Sequence, residues 1–232
     1  MDKNQSSLLG SGKIHTATYK NQAYDLIKDA ILYNRFRVDA IYSQEAICNE
    51  LGISRTPVRE ALLELQKEGY VNFSRGKGVK VVPVTEQDAG DILEARIFLE
   101  SHNAKLAAER GTPAEKQAIM TCLRDLEEKL SSLDSRLLYR IDHQFHRLVA
   151  DASHNGWFAR QTSLILDHYL RFEVKSVYNN SIDGKLVYKE HFSIGEGILN
   201  SQPEKAAQAM QHHLSNSYTR TLGKIWKTTP ER

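Results

Sequence analysis

Asp142 and His146 lie four residues apart in a stretch of helical periodicity, so they sit one turn apart on one face and can approach a single ion. Leu138, Phe145 and Val149 mark the apolar face of that stretch, and Asp142 borders it. Further on, His191 falls inside a stripe formed by Val187, Ile194 and Ile198, and His213 falls among Ala206, Ala209, Met210 and Ser217. A buried imidazole without a partner is costly, and a buried carboxylate more so. Three imidazoles and one carboxylate that converge would satisfy each other through a divalent metal; such donors suit zinc, nickel, iron or manganese. Each residue alone has a plainer reading. An Asp-x-x-x-His pair is usually a surface pair, and a lone inward His usually bonds a backbone carbonyl. Arg96 is the other inward charge, four residues after Ile92 and three before Leu99. Its planar fork needs an anion, either the carboxylate of an effector that also reaches the metal or an internal carboxylate such as Glu100 or Asp142.

A second chemistry lies in residues 51–71, LGISRTPVREALLELQKEGYV. Gly52 can turn the backbone where other residues would be strained. Ser54 is placed to cap a helix through its side-chain oxygen, and Pro57 is tolerated in the first turn. Val58, Ala61, Leu62 and Leu65 recur at helical spacing, which leaves Arg55, Thr56 and Arg59 on the other face. Residues 43–51 read as a short capped helix, so Gly52 joins two helices in a helix-turn-helix whose second member carries arginines suited to base edges and phosphates. Two β runs, 71–73 and 79–82, flank Ser74-Arg75-Gly76-Lys77-Gly78 and predict a hairpin. Beside a recognition helix, Arg75 and Lys77 would meet the phosphate backbone or the minor groove, although any exposed hairpin tip favours Gly and Lys.

Ser54-Arg55-Thr56-Pro57-Val58-Arg59-Glu60-Ala61-Leu62, followed by Glu68-Gly69-Tyr70-Val71, resembles the recognition helix and the start of the wing in the GntR family of bacterial transcription regulators. Residues 96–100 (RIFLE), 142–146 (DHQFH), Glu190-His191 and 210–214 (MQHHL) are similar to the all-helical FCD domain of its FadR subgroup, and the resemblance spans about residues 20–226. It implies a dimer that reads a pseudo-palindromic operator in double-stranded DNA, most often a repressor, controlled by a small effector bound in the helical domain. Metal-binding members of the family place Asp, His, His and His at points matching Asp142, His146, His191 and His213, which excludes His143 and His212. By the same resemblance Arg55 and Arg59 contact bases, while Ser54, Thr56 and Arg75 position the backbone, with Gly76 and Lys77 completing the wing tip. Where the family usually has a Gly and a Pro-Gly turn, this chain has Asn34-Arg35-Phe36-Arg37-Val38-Asp39-Ala40.

The expected fold is mainly α: an N-terminal winged helix-turn-helix followed by an all-α helical bundle, FCD-like by resemblance. Helices are expected over 19–33, 43–51, from Ser54 onward, 86–110, 112–130, 134–153, 157–177, 185–200 and 203–226, with a turn at 179–184. Residues 1–18 read as a loose arm, 19–84 as the DNA-binding domain and 85–232 as the effector and dimerisation domain. At 232 residues the chain can bury a sizeable core. Residues 1–82 carry 12 Lys and Arg against 9 Asp and Glu, and the remainder 19 against 20, a mildly basic front suited to nucleic acid. Two cysteines without CxxC spacing fit reduced thiols, and the polar start has no signal-peptide core, which points to a cytoplasmic protein without a membrane span. The alternative is a metal-dependent enzyme built on the Asp and His residues with the winged helix as an accessory. Against it, the chain has no G-x-S-x-G, H-E-x-x-H or phosphate loop. A plainer alternative has the winged helix contacting protein and the histidines satisfied within the core.

Overall fold

The computed structural model describes residues 18–130, 135–177 and 184–225, which fall into two compact units: 18–31 with 35–82, and 32–34 with the described residues from Pro83 on. The expected arm at the N-terminus, the start of one helix at Asp134, most of the turn at 179–184 and the end at Trp226 lie outside the described residues. No helix among the described residues is long and apolar enough to cross a membrane.

The first unit holds α1 (Tyr19–Leu32), β1 (Ile41–Tyr42), α2 (Gln44–Leu51), α3 (Arg55–Lys67), β2 (Val71–Ser74) and β3 (Gly78–Val81). Ser43 caps α2 by accepting from the Ala46 amide, and Gly52 closes it in the left-handed region at φ 66°, where a side chain would be strained. Val58, Ala61, Leu62 and Leu65 of α3 are fully buried, as their spacing requires. Ser54 departs from expectation: its backbone is extended as an N-cap's should be, but its side chain makes no capping hydrogen bond. The hydroxyl stays exposed on the face that carries the arginines.

The hairpin pairs β2 with β3 in the register Val71 to Val81 and Phe73 to Val79. β1 adds a third strand along the other edge of β3, giving the order β1-β3-β2. Two residues are too few to display alternation, so this strand has no sequence signal. The unusual loop before it is held by its own side chains. α1 ends with Asn34 in the left-handed region at φ 56°, a conformation Asn tolerates, and the amides of Arg35 and Phe36 return to the Ala30 carbonyl. Phe36 then stacks on Tyr42, whose hydroxyl accepts from the Arg37 amide.

The second unit consists of α4 (Glu86–Arg110), α5 (Pro113–Lys129), α6 (Ser135–Ala152), α7 (Gly156–Val177), α8 (Gly184–Leu199) and α9 (Pro203–Ile225). Capping boxes start α4 at Thr85 with Asp88 and α5 at Thr112 with Glu115. α4 packs against α6, α7, α8 and α9, around a core that includes Phe145, Val149, Ile194, Ile198, Met210 and Leu214. α8 and α9 approach closely because Gly197 carries no side chain; a Cβ there would lie 2.9 Å from the Ala206 amide nitrogen.

Glu115 also receives His154 from the turn after α6, at 3.0 Å. The Thr112 amide, His154 and the Thr112 hydroxyl together lower its carboxyl from 4.5 to about 2. A depressed carboxyl stabilises the fold above its unfolded value and loses that contribution as pH falls toward the folded value. Glu115→Gln is therefore expected to be less stable than the native chain near pH 6. Urea melts should show the difference shrinking between about pH 4.5 and 2; a gap independent of pH would refute the charge's role.

Candidate functional site

α6 contributes Asp142 and His146, α8 contributes His191, and α9 contributes His213; one ligand atom from each lies within 4.8 Å of all the others. His191 Nε2 lies 3.0 Å from Asp142 Oδ1 and 3.3 Å from His146 Nε2. His146 Nε2 lies 3.8 Å from the other Asp142 oxygen. The His213 ring is centred 4.2 Å from His191 and 5.4 Å from His146. The edge-on ring of Phe145 supports both His146 and His191 at its side of the cluster. All three imidazoles are buried, and Asp142 keeps 16% of its side chain exposed.

The outward nitrogens decide what the inward ones can do. His146 Nδ1 meets Glu100 at 2.5 Å, His191 Nδ1 meets the Val187 carbonyl at 2.9 Å, and His213 Nδ1 meets Glu190 at 2.9 Å. Each of those oxygens can only accept, so each Nδ1 carries the proton. The inward ring nitrogens then face one another and the Asp142 carboxylate, His191 Nε2 at 3.0 Å from Asp142 Oδ1. A divalent cation would satisfy these groups together. A proton serves His146 and His213 poorly. Burial lowers the His146 imidazole despite Glu100, and burial with the neighbouring His191 pushes His213 down to about 3. The donor set fits a divalent transition metal held by Asp142, His146, His191 and His213, with neutral imidazoles as ligands.

Arg96 and Glu100 stand behind His146. Arg96 Nε donates to Glu100 at 2.6 Å, and the guanidinium lies 4.2 Å over the Tyr169 ring, fully inside the unit. Burial works against ionised Glu100, but Arg96 and His146 together outweigh it and hold the carboxyl below the usual range. Of the two internal carboxylates open to Arg96 from the sequence, Glu100 is its partner. The Glu190-His191 motif carries no sign of the contact that Glu190 makes with His213. The polar stripe His213, Asn216 and Arg220 on one face of α9 was the signal for it. His143 is buried outside the four-ligand cluster, and His212 is exposed and bonded to Asn216.

In the first unit, Ser54, Arg55, Thr56 and Arg59 are exposed at the start of α3, and Arg75, Gly76 and Lys77 are exposed at the hairpin tip. Arg55 makes a 3.6 Å ion pair with Glu45, both side chains about three-quarters exposed. Such a pair is weak in water and yields readily to a phosphate or a base edge.

The described residues thus form a winged helix-turn-helix in one unit and an all-helical array around a His-rich cluster in the other. Family models agree: bacterial regulatory proteins of the gntR family match residues 19–81, and the FCD domain matches residues 91–216. The chain belongs to the GntR family of transcriptional regulators with an FCD domain; it is a DNA-binding regulator and not an enzyme. It is 28% identical over 205 residues to the putative L-lactate dehydrogenase operon regulatory protein of Escherichia coli, covering 76% of each chain. It is 25% identical over 196 residues to the Glc operon transcriptional activator of Escherichia coli, covering 74% of this chain and 76% of that one. Among solved structures, E. coli McbR/YncC shares the fold at a TM-score of 0.79 with 16% identity, over 90% of this chain and 99% of that one.

Removal of one ligand tests the donor set. Purified native chain is expected to retain about one divalent metal, and His191→Ala to lose affinity by more than the roughly 10–100-fold typical of outer partners. Metal content after dialysis, with competition against a chelator, measures this; full retention by His191→Ala would remove His191 from the set.

Proposed function

We propose that this regulator is a metabolite-responsive repressor whose operator affinity is set by a small carboxylate bound at a metal in the helical unit. The observation that carries the metal is the convergence of three buried imidazoles and one carboxylate, each imidazole having an oxygen at its Nδ1. Zinc fits this donor set, as do nickel, iron and manganese. A metal that takes more donors than these four leaves positions for the oxygens of an effector. A small carboxylate is favoured by the cation itself and by Arg96, which the effector would meet in addition to, or in exchange for, the contacts that residue already makes. One relative is named for an L-lactate dehydrogenase operon, and lactate is a small hydroxycarboxylate of the right class.

On DNA, Arg55 and Arg59 are assigned to base edges in the major groove, and Ser54, Thr56, Arg75, Gly76 and Lys77 to the backbone and the wing's groove. Two copies related by a two-fold axis would read two half-sites of a pseudo-palindrome. The effector needs differential affinity for two arrangements of the dimer to alter operator binding, with about 1–3 kcal/mol of coupling being typical. Repression relieved by effector is the proposed sense, although the Glc operon relative is named an activator, and a reporter fusion reads the sign directly. Its function in the cytoplasm follows from action on DNA.

Loss of one bidentate arginine contact removes roughly 1–3 kcal/mol of discrimination. Arg59→Ala is therefore expected to narrow the gap in affinity between operator and random duplex by about 5–150-fold per half-site in gel-shift titrations, while its melting temperature and metal content match the native chain. Retained discrimination would take Arg59 out of base readout. For the sensor, small carboxylic acids are expected to raise the melting temperature of the metal-loaded chain and not of the metal-stripped chain, because a ligand that binds only the native state stabilises it. A carboxylate that stabilises both forms equally would separate the effector from the metal.

A further inference from the structure

The three imidazoles of the cluster are braced in different ways. His191 leans on a carbonyl of its own helix, and His146 on Glu100, which Arg96 holds. His213 leans on Glu190 of α8, and Glu190 is in turn grasped by α9 itself. Arg220 Nη1 donates to Glu190 Oε1 and Nη2 to Oε2, both at 2.7 Å, a two-pronged fork. Asn216 Nδ2 adds a third contact to Oε1 at 2.9 Å. With the His213 Nδ1–H, four donors fill the acceptor sites of one carboxylate. The residues 213, 216 and 220 share one face of α9, so a single stripe carries both the ligand and the clasp for its brace.

We infer that Glu190 is a positioning residue for the metal ligand His213, and that Arg220 and Asn216 make the last turns of α9 part of the metal site without touching the ion. The inference rests on the metal reading above. An imidazole can bind through either nitrogen, and the ring can turn over about its Cβ–Cγ bond. Glu190 prevents both: it holds the proton on Nδ1, leaves Nε2 toward Asp142 and His191, and makes that nitrogen a stronger base. The clasp fixes the carboxylate so that it cannot swing toward the ion. A salt bridge with no bearing on metal would need neither the His213 contact nor the shared stripe.

The test is a zinc titration of the full chain against a chromophoric chelator, for the native protein, Glu190→Gln and Arg220→Gln, with melting of each metal-free form alongside. Native chain is expected to bind one zinc per chain. Glu190→Gln should bind about 10–100-fold more weakly, in the range seen for partners behind metal-bound histidines. Arg220→Gln should weaken binding in the same direction and less. A merely structural Glu190 would lower the melting temperature of the metal-free chain and leave the zinc dissociation constant where it is. That result, with native binding intact, overturns this inference alone, whereas a native chain that takes up no zinc or other divalent metal overturns the metal reading with it. Should Glu190→Gln fail to fold, Arg220→Gln decides the matter. Its side chain is partly solvent-exposed, and zinc affinity equal to native there would refute the clasp.

Discussion

The crowding of one carboxylate and three imidazoles is the constraint on which the helical unit turns. Helices α6, α8 and α9 pack closely enough to bring three ring nitrogens and a carboxylate into one small space in a largely apolar interior. Each imidazole has an oxygen at its far nitrogen, so the inward nitrogens have only one another and Asp142 beside them. Close packing of α8 on α9 at Gly197 and the Phe145 ring edge-on to two of the imidazoles hem the rings in. A cation bound there would tie the three helices together, its binding energy adding to that of the fold.

The outer partners show how a charge can be kept inside without a large penalty. Glu100 and Glu190 are both buried acids, and each is matched by an arginine and a histidine rather than left as an isolated ion. The two assemblies differ in reach. Arg96 is sealed against Tyr169, whereas Arg220 lies nearer the surface, so one side of the cluster is rigidly enclosed and the other is anchored to the rim of the unit.

Much of this was legible in the residues. Helix limits followed from strong caps, such as Thr85 with Asp88 and Thr112 with Glu115, and from apolar stripes with few interruptions. Apolar stripes marked His191 and His213 as inward, and the family resemblance supplied the set Asp142, His146, His191 and His213, which the fold brings together. What escaped was of two kinds. β1 is two residues long and is recruited by β3, a long-range pairing with no local pattern of its own. Glu190 sits beside His191 on α8, and its importance comes from partners 23 to 30 positions away, which spacing within one helix cannot reveal. Ser54 illustrates the converse: a residue type that usually caps through its hydroxyl met the backbone requirement and left the hydroxyl outward. The loop at 34–40 likewise solved a turn without glycine or proline, using an asparagine at positive φ and an aromatic pair.

Asp142 differs from the other three ligands in one respect, its residual contact with water. That makes its carboxylate the threshold of the cluster. An ion reaching the cluster from solvent would meet this carboxylate before the enclosed imidazoles, so one short side chain would both hold the ion and stand on its way in.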